Sequence, residues 1–95
     1  MIPFVLLDGL TDSSGVTHRA GVLRSATAAD EIRALKDFRV HLWPDRFLDV
    51  ILPRVVVRLG ELPSIDPGLI QQLSARDRAT LETLYSEVNG YAARS

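Results

Sequence analysis

From Gly15 to Ile32 the chain passes from a turn through a strand into a capped helix without a break, and no other stretch limits the fold as much. Successive side chains of an extended segment alternate sides. Val16, His18, Ala20 and Val22 therefore share one face, and Thr17, Arg19, Gly21 and Leu23 the other. The apolar contrast between these faces is weak, which suits an edge or interface strand. Upstream, Ile2–Leu7 reads as a short apolar strand, and the Asp-, Ser- and Gly-rich segment from Asp8 to Gly15 as its loop. The two strands form a hairpin over about residues 2–24.

Thr27–Ala28–Ala29–Asp30 has the spacing of a capping box, with Asp in place of Glu, and opens the helical part, about residues 27–90. Ile32, Leu35 and Phe38 give the first helix its apolar side, with Lys36, Asp37 and Arg39 facing away. Pro44 suits the first position of a second helix. Phe47, Leu48, Ile51, Leu52, Val55, Val56 and Leu59 then cover two adjacent ridges, a stripe wider than one partner helix needs. Pro53 lies inside it and is expected to kink the helix, since it cannot donate to the Asp49 carbonyl. A strand over Arg54–Leu59 competes, because Val55–Val56–Val57 favours one. The helix is preferred because the i, i+4, i+8 series crosses Pro53 unbroken, with Gly60 as its C-terminal cap.

Asp66 before Pro67 is a good N-cap for a short helix carrying Leu69, Ile70 and Leu73. Ser74–Ala75–Arg76–Asp77 repeats the capping-box spacing before a last helix with Leu81, Leu84, Tyr85 and Val88 on one side, ended by Asn89–Gly90. The expected architecture is a single α+β domain over residues 1–95: an N-terminal β-hairpin followed by three or four helices.

Bulk properties narrow the function. A chain of 95 residues has room for one domain, and 46% hydrophobic residues suit a globular one. The net charge is −1, and no run of like charge draws the chain to nucleic acid or an anionic membrane. The absence of cysteine excludes disulfides and thiolate chemistry. Met1–Asp8 has no basic start, and its apolar run ends after seven residues, so neither a signal peptide nor a membrane span is expected there.

No cluster of reactive side chains is evident. His18 and His41 lack Cys, Asp or Glu at metal-ligand spacing and read as surface histidines. Asp45 and Asp49 share a helix face, but a first-turn charge at Asp45 and a pairing of Asp49 with Arg46 or Arg54 explain them more simply than acid–base work or cation binding. Ser13–Ser14–Gly15 resembles a phosphate loop only in composition, since no Lys or helix follows. Arg46, Arg54 and Arg58 could form a basic strip, which Asp45, Asp49 and Glu61 dilute, so nucleic acid is disfavoured as a partner. Trp43, Phe47 and Tyr85 are core or interface aromatics. The candidate protein-interaction residues are Trp43, Phe47, Leu48, Ile51, Leu52, Val55 and Val56. No catalytic, cofactor or metal site is assigned.

The order of parts resembles a family. A turn and strand run into Leu23–Arg24–Ser25–Ala26–Thr27–Ala28–Ala29–Asp30; a middle segment ends Val56–Val57–Arg58–Leu59–Gly60–Glu61–Leu62; an Ile65–Asp66 start follows, and Asp77 opens a last helix with Leu81. In this the chain resembles the small tail assembly chaperones of tailed bacteriophages, the Mu-like and P2-like group. The resemblance implies a non-enzymatic protein of the bacterial cytoplasm that coats the tape measure protein until tail tube subunits polymerise around it, and that self-associates while doing so. A related expectation is a structural or adaptor subunit of a tail or a contractile injection system.

Overall fold

The computed structural model describes residues 1–89. Two long strands, β1 (Ile2–Thr11) and β2 (Thr17–Leu23), pair antiparallel, and a third, β3 (Val56–Leu59), pairs antiparallel with the other side of β2. The sheet order is β1-β2-β3. The helices are α1 (Ala28–Lys36), α2 (Phe38–Leu42), α3 (Phe47–Val55), α4 (Pro67–Gln71) and α5 (Ala75–Asn89), with a 3-10 turn at Pro44–Arg46 before α3. The fold is α+β, as expected. The ending of the last helix at Gly90 lies outside the described residues.

The hairpin turn is shorter than expected because β1 continues past Asp8. Its register slips between Val5 and Leu10, where the backbone bulges away from β2. Two distant side chains satisfy the backbone groups freed by the bulge. The Asp77 carboxylate accepts the N–H groups of Leu7 (2.7 Å), Asp8 (3.0 Å) and Gly9 (2.8 Å). The Arg19 guanidinium donates to the carbonyls of Leu6 (3.1 Å) and Leu7 (2.6 Å). Gly9 is left-handed, with φ of 75°. An added Cβ would come within 2.6 Å of the Arg19 side chain, so the bulge needs glycine there.

The turn itself is built by Asp12, whose Oδ1 accepts from the N–H groups of Ser14 and Val16. Its Oδ2 lies 2.8 Å from Nε2 of His18. The Glu61 N–H donates to His18 Nδ1, which requires a lone pair there and assigns the ring proton to Nε2. His18 is thus a buried linker between turn and sheet, not a surface histidine. Gly60, with φ of 56°, lies so close to the imidazole that a Cβ would overlap it.

The capping signals at Thr27 and Asp66 form as read, whereas the Ser74–Asp77 box is half made, with the Asp77 N–H bonded to Ser74 Oγ and its carboxylate taken by β1, and Gly60 follows a strand and caps no helix. Thr27 and Asp30 make both bonds of the capping box. Asp66 accepts from the Leu69 N–H with Pro67 in the first turn. Two expected helix spans also fail. First, the helix from Thr27 does not carry through Phe38. Asp37 has an extended backbone, closes α1 and caps α2 by accepting from the Arg39 N–H. Second, the helix from Phe47 does not reach Leu59. It ends at Val55, two residues after Pro53, and the chain enters β3 directly. The strand wins because β2 offers it a partner: Val56 and Arg58 pair with Leu23 and Val22, and the Arg24 N–H donates to the Val55 carbonyl.

The core lies between the sheet and α3, α4 and α5. Leu6, Leu23, Ile51, Leu52 and Val55 are wholly buried, joined by Ile70, Leu81 and Tyr85. Phe47 meets Tyr85 edge to face, with centroids 6.3 Å apart. Burial pushes the Tyr85 phenol up to about 12.

Candidate interaction surface

Four of the seven residues assigned to a partner-facing stripe are core. Ile51, Leu52, Val55 and Val56 are at most 5% exposed. Phe47 and Leu48 are half-buried and packed against that core. The breadth of the stripe is explained by the sheet on one side and α4 and α5 on the other, which together cover it. Trp43 alone of the seven remains half exposed.

Part of the apolar surface open to solvent lies on α1, α2 and the residue that ends α2. Ile32, Leu35, Phe38, Leu42 and Trp43 are between 50% and 68% exposed. Helix geometry shows why. Residues two apart differ by about 200° around an α-helix. Ala34 is the buried apolar contact of α1, so Ile32 points away from the core. Val40 is the buried residue of α2, so Phe38 and Leu42, two positions before and after it, both point outward. The apolar side expected to pack inward is therefore a ridge facing water. Its i, i+3 spacing cannot by itself say which way it faces. The small Ala34 and the capping Asp30, both buried, were the available signal.

Charge borders this ridge. Arg33 and Lys36 are exposed, and neither forms an ion pair among the described residues. The Arg46 guanidinium lies 5.4 Å from the Trp43 ring centroid, a cation–π contact. Two of the carboxylates nearby, Asp30 and Asp37, are turned to structural work. Asp30 accepts from Arg24 and from the Thr27 N–H, and its carboxyl is held well below the usual range, first by Arg24. Asp37 binds Arg39, which lowers its carboxyl to about 2.

The other candidates disperse. Asp49 is buried and pairs with Arg78 from α5, not with Arg46 or Arg54, while Asp45 is exposed; the two carboxylates form no joint site. Arg58 lies on β3, so the expected basic strip with Arg46 and Arg54 does not exist on one helix. Ser13 and Ser14 belong to the Asp12 turn. His41 is exposed on α2. A groove of about 470 Å³ runs between Pro3–Val5 of β1 and Ala79, Thr83, Leu84 and Glu87 of α5; Glu87 is its one titratable lining residue. Among the described residues no group of three or more His, Cys, Asp or Glu could hold a metal ion, and no helix is long and apolar enough to cross a membrane.

No protein-family model, curated protein or solved structure matches the chain.

Proposed function

We propose that this protein is a non-enzymatic binding module that covers an apolar partner polypeptide during assembly of a phage tail or a phage-like machine. The carrying observation is the exposure of Ile32, Leu35, Phe38, Leu42 and Trp43 to water, because large apolar side chains left open in numbers on a small domain mark a surface to be covered. The segment order from Leu23 to Leu81, which resembles the tail assembly chaperones, supplies the kind of partner: a long helical protein such as the tape measure protein, or a tail tube subunit. Self-association and a bacterial cytoplasmic setting belong to the same reading.

Gene neighbourhood and co-expression test it. A tube-protein gene upstream and a very long gene with a helical product downstream are expected. The chain should keep that product soluble, and Phe38→Ser should remove the effect. A neighbourhood without tail genes, or undiminished solubilisation by the variant, would refute the proposal.

A second reading, a subunit retained in the finished particle, is favoured by a further observation. Val5 and Leu7 on β1 and Val57 on β3 are also half or more exposed, so the sheet presents apolar surface of its own. Mass spectrometry of purified particles separates the two: a chaperone is missing, and a subunit is stoichiometric.

A further inference from the structure

We propose that His18 is a proton-sensitive latch: a proton taken up at Nδ1 breaks the bond from the Glu61 N–H and releases the turn after β3 from the hairpin. The latch is independent of the partner proposed above.

Both ring nitrogens are engaged. Nε2 donates to Asp12 Oδ2, 2.8 Å away in the turn between β1 and β2. Nδ1 accepts the Glu61 N–H at 3.1 Å. A neutral imidazole has one donor and one acceptor, so these two contacts use it fully. An imidazolium has two donors and no acceptor. Its Nδ1–H would meet the Glu61 N–H head on, and one of the two groups must give way.

The packing decides which. His18 is only 6% exposed. Turning the ring over would put carbon where each nitrogen stands and lose both bonds. Gly60 lies against the ring, so near that a Cβ there would stand 2.2 Å from Nδ1. Asp12 secures the Nε2 side. Its Oδ1 is fixed by the Ser14 and Val16 N–H groups, and a carboxylate holds an imidazolium more strongly than a neutral ring. The bond with His18 keeps the Asp12 carboxyl below its usual range, so the anion persists while the ring gains its proton. The ring therefore stays and the turn moves.

Glu61 presents its backbone to Nδ1, while its side chain is exposed. Arg19, the next residue on β2, is turned to the Leu6 and Leu7 carbonyls. Leu10, opposite His18 on β1, is apolar and buried. Beyond Glu61 the chain runs towards α4 through Pro63, Ser64 and Asp66, all exposed, with Leu62 and Ile65 partly buried. The turn can thus shift while the Gly60 N–H still joins β3 to the Ala20 carbonyl at 2.7 Å.

The test is nuclear magnetic resonance of the full chain between about pH 8 and pH 5, the range in which histidine ordinarily gains its proton. The ring-nitrogen shifts of His18 report protonation, and amide protection factors, corrected for intrinsic exchange, report each bond. Protection of Glu61 should fall about tenfold in step with protonation of His18, while Leu7 and Gly9, held by Asp77, keep theirs. In His18→Asn, whose side-chain oxygen can take the place of Nδ1 but cannot gain a proton in this range, protection of Glu61 should not depend on pH. A protonated ring with Glu61 still protected overturns the proposal, because the ring has then moved instead. A ring that stays neutral until the whole chain unfolds overturns it too, as does a loss of protection shared by Glu61, Leu7 and Gly9. The wild-type readings decide alone if the variant does not fold.

Discussion

Asp77, in the first turn of α5, accepts the Leu7 N–H of β1 at 2.7 Å across seventy residues of sequence. The bond is one of three that the wholly buried carboxylate receives from consecutive amides. The contact is reciprocal. Asp8, in the same bulge, accepts from Ser74 and twice from Arg76 at the start of α5. Strand and helix thus satisfy each other's unpaired groups, and this exchange lets β1 continue where its own sequence signals a loop.

Asp77→Asn is therefore expected to destabilise the protein by about 2–4 kcal/mol. One carboxylate oxygen becomes an NH2 group aimed at buried N–H donors, and at least one of those donors is left unsatisfied. Urea denaturation measures the loss. Amide exchange of Leu7 and Gly9 should rise more than that of β2. An unchanged denaturation midpoint would contradict the clamp.

Ile51→Asp and Phe38→Ser should separate core from surface. Ile51 is wholly buried, and an isolated carboxylate there is expected to cost about 4 kcal/mol or more, enough to unfold a small domain. Phe38 is 68% exposed, and its loss should change stability by about 0.5 kcal/mol or less. Thermal melts of both variants check this. A well-folded Ile51→Asp would reinstate the wide stripe of α3 as an open face.

The acid limb of the stability curve follows from four carboxylates: Asp12, lowered first by its bond with His18, and three that pair with arginines. Asp8, Asp30 and Asp37 are all held below the ordinary value of 3.8, chiefly by hydrogen bonds from Arg76, Arg24 and Arg39 respectively. A lowered value in the folded state means that the unfolded chain binds protons more readily. The stabilisation is present above the unfolded value and is lost as pH falls through the folded one. Melting temperature should be level above about pH 5 and should fall between about pH 4 and pH 2. Asp8 and Asp37 are solvent-screened, so Asp30 should dominate, and Asp30→Ala should flatten the fall. A melting temperature constant down to pH 2 would contradict these pairings.

Gly60→Ala should cost about 1–3 kcal/mol, from a positive φ that alanine tolerates poorly and from overlap with the His18 ring. The same variant should loosen the Glu61 N–H bond to His18, visible as a shift of the imidazole resonances. A neutral result in the melt would mean that the turn after β3 readjusts freely.

The helix starts are legible in the sequence because capping is local. Thr27 finds Asp30, and Asp66 finds Leu69, within one turn. The hairpin and the α+β class are legible for the same reason. What escapes is decided by partners far along the chain. The extension of β1 depends on Asp77 and Arg19, and the strand at Val56–Leu59 on the unpaired edge of β2. The direction of the Ile32–Leu42 ridge depends on which side of α1 and α2 meets the core, and apolar spacing carries no sign. Of the expected interaction residues, Trp43 remains on the surface because it ends α2, whereas the α3 residues are enclosed by a sheet that their own sequence does not announce.

The sheet has two edges, β1 and the four-residue β3, and the longer of them, β1, is blunted against pairing with another strand. Proline at position 3 has no N–H to offer a neighbour, and the amides of Leu7, Asp8 and Gly9 are already spent on Asp77. Only a few residues of the outer strand could template another, too short a seam for runaway fibre growth. Backbone stacking without end along this strand is thereby blocked, which leaves any contact there to side chains.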